Sequence, residues 1–128
     1  MPTVEIVSFG YLHDQPPAEA HLVLDLRHHF RDPHFDLSLR HLTAVDRPIR
    51  KAVLGTAGIR ALLRATARQA RAYLAGPSGG QPLVIAFGCA GGRHRSAVAA
   101  NQLARQLRRR GVTVTVHHRD INKPVVTR

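Results

Sequence analysis

The sequence has one cysteine, no tryptophan and only eight acidic residues among its 128. A single cysteine cannot form an intramolecular disulfide and offers no pair of thiolates for a zinc site. A low cysteine content without disulfides is typical of proteins in a reducing compartment, so we expect a cytoplasmic protein. No apolar run approaches the ~20 residues that a membrane-spanning helix needs. Residues 1–15 have neither a cationic start nor a long apolar centre, and we expect no signal peptide.

Metal-binding and nucleotide-binding motifs are also missing. The nine histidines are scattered along the chain and form no HExxH-like array, so we expect no bound metal. The P-loop frame, GxxxxGK followed by Ser or Thr, is absent as well. We therefore expect the protein to function without a cofactor.

The sequence is instead rich in arginine, and its net charge is +11. The planar guanidinium group suits phosphate, so a polyanionic partner is one explanation of this composition. A general bias that places arginine on any solvated surface is the other explanation. Composition alone does not favour either explanation of the arginine content.

Hydrophobic periodicity predicts one α/β domain over residues 1–128. Alternating or continuous apolar runs predict strands at 3–9, 21–27, 82–88 and 112–120. Helical spacing predicts helices at 48–54, from Thr56 to about residue 75, and between the glycines near residue 90 and Gly111. This order predicts a three-layer sandwich with a largely parallel sheet. Residues 28–48 show no clear period, and a long irregular segment in a small domain is often functional.

The second predicted helix carries a row of arginines on one face: Arg60, Arg64, Arg68 and Arg71. A solvated helix surface is one interpretation of this row. A row of one sign without acidic partners at i,i+4 is self-repelling, which makes contact with RNA the alternative.

The stretch GCAGGRHRS, residues 88–96, joins the most apolar strand to the last helix. Ligands of open α/β sheets gather at such strand ends. Glycines let the backbone approach a ligand closely, and the first amides of the helix are unpaired and partly positive. These features predict an anion site. The alternative is a tight turn that needs glycine for its geometry alone.

The same stretch also contains the CX5R frame of cysteine-dependent phosphatases, with Cys89, Arg95 and Ser96 in the catalytic positions. A thiol at a helix N-terminus near arginines would be activated as a nucleophile. Against this hypothesis, Gly88 occupies the position where that family carries histidine, and no WPD-type acid loop is present. Whether the protein is an enzyme stays open at this point.

Four segments resemble the C-terminal domain of the RNase adapter protein RapZ family: residues 8–27, 32–49, 88–96 and 118–123. The resemblance implies an α/β domain similar to a phosphofructokinase subdomain. Such a domain would bind an amino-sugar phosphate or a nucleotide, contribute RNA contacts and oligomerise. The N-terminal P-loop kinase-like domain of the family has no counterpart here. We therefore expect a standalone regulatory domain, with a separate kinase-like protein as a possible partner.

The resemblance also implies a ligand site. Its phosphate cradle would consist of Cys89, Gly91, Gly92, Arg93, His94, Arg95 and Ser96. The remaining walls would come from His118, Arg119 and Asp120 after the last strand, and from Asp25, Arg27 and His34 after the second strand. Neither the resemblance nor the residues decide between a sugar phosphate and a nucleotide.

Overall fold

The computed structural model describes residues 3–127 and contains four strands, three α-helices and one short 3-10 turn. The strands are β1 (Thr3–Gly10), β2 (Leu22–Asp25), β3 (Leu83–Cys89) and β4 (Thr113–His118). The helices are α1 (Arg47–Leu54), α2 (Ile59–Leu74) and α3 (Arg95–Arg109), and the 3-10 turn is Pro33–Phe35. Over residues 3–127, no helix is both long enough and apolar enough to cross a membrane.

The four strands form one sheet in the order β2-β3-β1-β4, and every pair is parallel. Consecutive parallel strands need crossover connections, which α1 and α2 provide between β2 and β3. Helix α3 provides the one between β3 and β4, which lie on either side of β1. This architecture confirms the predicted α/β class and is consistent with a three-layer sandwich. The sheet is parallel throughout the described chain.

Strand β3 is buried along all seven of its residues. Central strands of parallel sheets are covered on both faces, which explains the continuous apolar run in the sequence. Helix α3 packs on this part of the sheet through a face that includes Val98, Leu103 and Leu107, all buried in the main hydrophobic core. The core therefore holds the start of α3 rigidly against the end of β3.

Helix α2 begins later than predicted. Its first residue is Ile59, and the residue before it is Gly58, whose φ of +89° is in the left-handed region. The prediction that Thr56 caps this helix was wrong, because the helix begins two residues later than a Thr56 cap requires, with Gly58 at the N-cap position. The Thr56 hydroxyl donates 2.9 Å back to the carbonyl of Ala52 in α1. The other predicted boundaries lie within a few residues of the observed ones.

The parallel arrangement brings the carboxyl ends of all strands to one edge of the sheet. Gly10, Asp25, Cys89 and His118 are the last residues of β1, β2, β3 and β4. Loops that leave this edge are where open α/β sheets bind their ligands. The turn between β3 and α3 lies at its centre, since β3 and β1 are the two inner strands.

Candidate functional site: the glycine turn between β3 and α3

The turn, residues 90–94, packs backbone against backbone on the end of β1. A Cβ atom at Gly92 would lie 2.7 Å from the amide nitrogen of Gly10, and one at Gly10 would lie 2.4 Å from the carbonyl carbon of Gly91. Gly92 also has a φ of +75°, which glycine adopts without strain. Two of these glycines are therefore required by packing and conformation. Gly91 is different, because a Cβ there would meet no atom within 4 Å.

The backbone N–H groups of residues 90–97 have no hydrogen-bond acceptor within residues 3–127. The first amide of α3 with a partner is that of Val98, which donates 3.0 Å to the carbonyl of His94. Unpaired amides at a helix start carry partial positive charge. Residues 94–97 are also buried, and buried amides in folded proteins nearly always have partners. The amides of residues 90–97 therefore lack an acceptor within the described residues, and a bound anion can supply one.

The terminal nitrogens of Arg95 bind oxygens of the protein itself and are not open to a ligand. Arg95 is 2% exposed. Its Nη1 donates to the carbonyls of Leu26, Arg27 and Phe30 at 2.8 to 3.2 Å. Its Nη2 lies 3.0 Å from the carboxylate of Asp32. Only its Nε lacks a partner. The catalytic arginine of a cysteine phosphatase holds phosphate oxygens, whereas these guanidinium donors hold the protein's own oxygens.

Arg93 performs the same task on the other side of the turn. Its Nη2 donates to the carbonyl of His41 at 3.0 Å, and its Nη1 donates to the carbonyls of Ile121 and Lys123 at 3.2 Å. Its Nε is buried without a partner, like that of Arg95. Arg93 thus connects the turn to the irregular segment after β2 and to the segment after β4.

His94 is buried, and its Nε2–H donates 2.7 Å to the carbonyl of Leu42. Burial lowers the pKa of His94 from its ordinary value, although the bond to Leu42 acts in the opposite direction. The neutral ring carries its proton on Nε2, which leaves Nδ1 as an acceptor.

The thiol of Cys89 lies 3.1 Å from the hydroxyl of Ser96, and both groups are buried. This contact joins the last residue of β3 to the first turn of α3.

A small cavity of about 20 Å³ lies beside the turn. It is lined by six predicted site residues: His34, Cys89, Gly91, Arg93, His94 and Arg95. This volume is about that of one water. Asp32, Arg40, Val125 and Val126 complete the lining. A larger ligand must therefore displace or open part of this lining.

Other predicted site residues lie around this cavity without lining it. Asp25 and Arg27 form an exposed ion pair of 2.7 Å, and the Arg27 guanidinium lies 3.6 Å from the Tyr11 ring centroid. His118 accepts from the buried Ser8 hydroxyl at 2.6 Å and donates to Asn101 at 2.9 Å. The structure thus does not bring these residues into contact with the cavity, and their ligand contacts stay predictions.

Asp120 stabilises the end of β1, on which the turn packs. Its carboxylate accepts from the Gly10 amide at 2.8 Å and from Lys123 Nζ at 2.6 Å, and it lies 2.9 Å from Arg119. Burial alone would raise the pKa of Asp120, but these donors outweigh it and lower the pKa to about 2. Asp120 therefore holds the end of β1, on which Gly92 packs, as a charged group.

Sequence reasoning missed four residues of the lining, namely Asp32, Arg40, Val125 and Val126. Asp32 and Arg40 lie in the irregular segment 28–48, whose length was the one signal of a functional role. Val125 and Val126 follow the last strand, and nothing in their local sequence indicates that they lie over the turn.

The arginine row on α2 faces outward, as its spacing predicted. Arg60, Arg64 and Arg68 are exposed, and Arg71 is partly exposed. None of them forms an ion pair within residues 3–127. Their contact with RNA stays a prediction.

The model of the RapZ C-terminal domain matches residues 2–122 of this chain. The chain belongs to the RapZ C-terminal domain family. It is also similar to several proteins named "nucleotide-binding protein". The one from Thermobifida fusca is 40% identical over 120 residues, which are 92% of this chain and 40% of that protein. The one from Thermus thermophilus is 40% identical over 123 residues, which are 94% of this chain and 43% of that protein.

A third relative, from Heliobacterium modesticaldum, is 37% identical over 122 residues, which are 94% of this chain and 40% of that protein. The chain thus spans less than half the length of the relatives it matches. Membership of the RapZ C-terminal domain family confirms the resemblance expected from the sequence.

Proposed function

We propose that this RapZ C-terminal domain binds the phosphate group of a small molecule at the glycine turn and acts as a regulatory module. The observation that carries the proposal is the run of amides at residues 90–97 without an acceptor. Phosphate oxygens are strong acceptors, and a helix N-terminus preceded by glycines is a common site for them.

The turn supplies main-chain N–H donors, and Arg93 and Arg95 hold the turn so that these N–H groups keep one orientation. Arg93 and Arg95 use their terminal nitrogens to hold the surrounding loops, so they preorganise the amides instead of closing on the ligand. Their buried Nε groups, which have no partner, add positive charge close to the turn. Preorganised donors bind more tightly because little ordering remains to be done on association.

A regulatory role follows from where Arg93 and Arg95 attach. Arg95 connects the turn to residues 26–32, and Arg93 connects it to residues 41 and 121–123. A ligand that shifts the turn therefore shifts three surface segments with it. A ligand with a higher affinity for one position of the turn would therefore favour the matching arrangement of these segments.

The organic part of the ligand has room beside the turn. A second cavity of about 280 Å³ shares His34, Arg40, Val125 and Val126 with the small one and adds Phe35. Phe35 is 70% exposed and packs edge-to-face against the ring of His34, with 5.5 Å between the ring centroids, so this wall of the cavity is aromatic. The relatives' name, nucleotide-binding protein, supports a nucleotide, whereas the implied amino-sugar phosphate is the alternative.

Isothermal titration calorimetry with glucosamine 6-phosphate, AMP, GMP and inorganic phosphate tests this proposal. Gly91→Asp places a carboxylate at the open position of the turn, where no atom obstructs a Cβ. We expect it to abolish phosphate-ester binding, because like charges repel and its carboxylate can occupy the free amides. Gly91→Asn controls for size, and Gly80→Asp, also unobstructed, controls for net charge. Equal binding by Gly91→Asp and Gly91→Asn would refute the proposal.

RNA binding by α2 is the second candidate function. The exposed arginines of this helix without ion pairs support it. Each lost phosphate contact lowers the slope of log affinity against log salt by about 0.7 for a single strand. We therefore expect Arg60→Gln with Arg64→Gln to reduce that slope by about 1.4, measured by fluorescence anisotropy. The pair Arg27→Gln with Arg31→Gln removes the same charge elsewhere and should leave the slope unchanged.

A further inference from the structure

A groove of about 360 Å³ between α2 and α3 collects five arginine side chains: Arg64, Arg68, Arg71, Arg109 and Arg110. No carboxylate lines this groove. The first three arginines come from α2 and the last two from the end of α3. The groove is thus lined by cations from two helices that are separate in sequence.

The positive charge of this groove has no internal compensation. From residue 47 to residue 119 the sequence contains no aspartate or glutamate, although it contains fourteen lysines and arginines. None of the five groove arginines forms an ion pair within residues 3–127. Like charges held around a concave surface raise the free energy of the folded state, and a bound anion relieves that cost.

The helix dipole explains only part of this cluster. Arg109 lies in the last turn of α3 and Arg110 caps its C-terminus, where cations are stabilised by the partial negative charge of the free carbonyls. Arg64 and Arg68 lie in the middle of α2, far from its C-terminus at Leu74. Their position facing Arg109 and Arg110 therefore needs another cause.

The shape of the groove indicates a compact ligand. Arg60 belongs to the same row on α2 but does not line the groove, whereas Arg109 and Arg110 from another helix do. The cations therefore converge on one concavity and do not simply follow the axis of α2. Guanidinium groups bind phosphate oxygens in a bidentate manner, so several of them can share a short chain of phosphates.

We propose that this groove binds an oligophosphate, that is, a free or nucleotide-borne chain of three or more linked phosphates. It is a different site from the glycine turn. The turn precedes the first residue of α3 and the groove lies at its last residues, and a helix of fifteen residues is about 22 Å long. One small ligand cannot fill both sites.

Calorimetric titration of the chain with inorganic tripolyphosphate tests the proposal, with ATP as the nucleotide-borne arm. Arg68→Gln with Arg109→Gln removes one cation from each wall of the groove. We expect this pair to weaken tripolyphosphate binding at least about tenfold, the loss of roughly one bidentate contact. The control, Lys51→Gln with Arg105→Gln, removes two exposed cations outside the groove, one from α1 and one from α3. We expect it to change the affinity less than about twofold.

Stability provides a second readout that a structural role would not produce. At low salt and without ligand, Arg68→Gln with Arg109→Gln should be at least as stable as the parent, because it relieves repulsion. Tripolyphosphate should raise the melting temperature of the parent and not of this variant. A variant that melts earlier without ligand would show that the arginines support the fold, and the proposal would be wrong.

The remaining outcomes are equally decisive. Equal losses in the groove pair and the control pair would indicate diffuse attraction, and the proposal would fail. Binding of single-stranded RNA that depends on Arg68 and Arg109 while tripolyphosphate does not bind would overturn it in favour of an extended phosphodiester partner. Gly91→Asp should leave tripolyphosphate binding intact, so failure at the glycine turn and failure at this groove are measured separately.

Discussion

The guanidinium group of Arg95 lies 3.0 Å from the carboxylate of Asp32, and the same side chain donates to three carbonyls after β2. Arg95 is the first residue of α3, so this contact ties the start of the helix to the irregular segment. The ion pair therefore sets the position of the glycine turn relative to one of its walls.

Arg95→Ala should destabilise the protein by about 3–5 kcal/mol, because it breaks a mostly buried ion pair with Asp32 and removes the bonds to three carbonyls. Denaturation by urea measures this loss. Arg27→Ala is the matched control, since its ion pair with Asp25 is about one third exposed, and it should cost less than about 1 kcal/mol. Equal losses in the two variants would contradict the role assigned to Arg95.

Glycine substitutions should separate packing from ligand binding. Gly92→Ala should cost about 1–3 kcal/mol or more, because its backbone is left-handed and a Cβ would meet the amide of Gly10 at 2.7 Å. Gly91→Ala meets no atom within 4 Å and should be neutral or slightly stabilising. Thermal unfolding of the two variants checks this, and a larger loss in Gly91→Ala would show that the turn is packed differently.

Stability should fall as the pH drops below about 6.5, the ordinary pKa of histidine. Burial lowers the pKa of both His94 and His118 in the folded protein. The unfolded chain therefore binds protons first, and the stability present above pH 6.5 is lost as the pH falls toward the folded values. His94→Gln should flatten this part of the curve, measured by urea unfolding from pH 5 to pH 8. The exposed His28→Gln serves as the control, and an equal change in both would contradict this cause.

Hydrolysis of an aryl phosphate should not depend on Cys89. The thiol is 2% exposed, and the terminal nitrogens of Arg95 are engaged with protein oxygens. We expect the parent and Cys89→Ser to release p-nitrophenol at the same background rate and to bind phosphate alike. Activity that disappears in Cys89→Ser would establish the cysteine phosphatase instead.

Much of the fold was readable from local patterns. The continuous apolar run of β3 and the two-residue alternation in β4 are both local signals, and the structure places strands there. The glycine turn was equally visible, because a buried strand followed by glycines and a helix start is a local signal. The Thr56 prediction failed because Gly58, in the left-handed region, moves the start of the helix two residues further along the chain, which a capping pattern does not reveal.

The roles of the arginines were not readable from the sequence. Arg95 contacts carbonyls 65 to 69 residues earlier in the chain, and His94 contacts Leu42, 52 residues earlier. Contacts at such separations depend on how the irregular segment folds over the sheet edge. The sequence pattern therefore indicated donors for an anion, whereas the structure shows that these side chains first hold the loops.

Titration of the 15N-labelled protein with inorganic phosphate, followed by NMR, tests the central claim most directly. If the free amides form an anion site, saturable shifts should be largest for residues 90–97, and Gly91→Asp should abolish them while Gly80→Asp preserves them. Saturable shifts that leave residues 90–97 unchanged would contradict the claim that these amides bind phosphate.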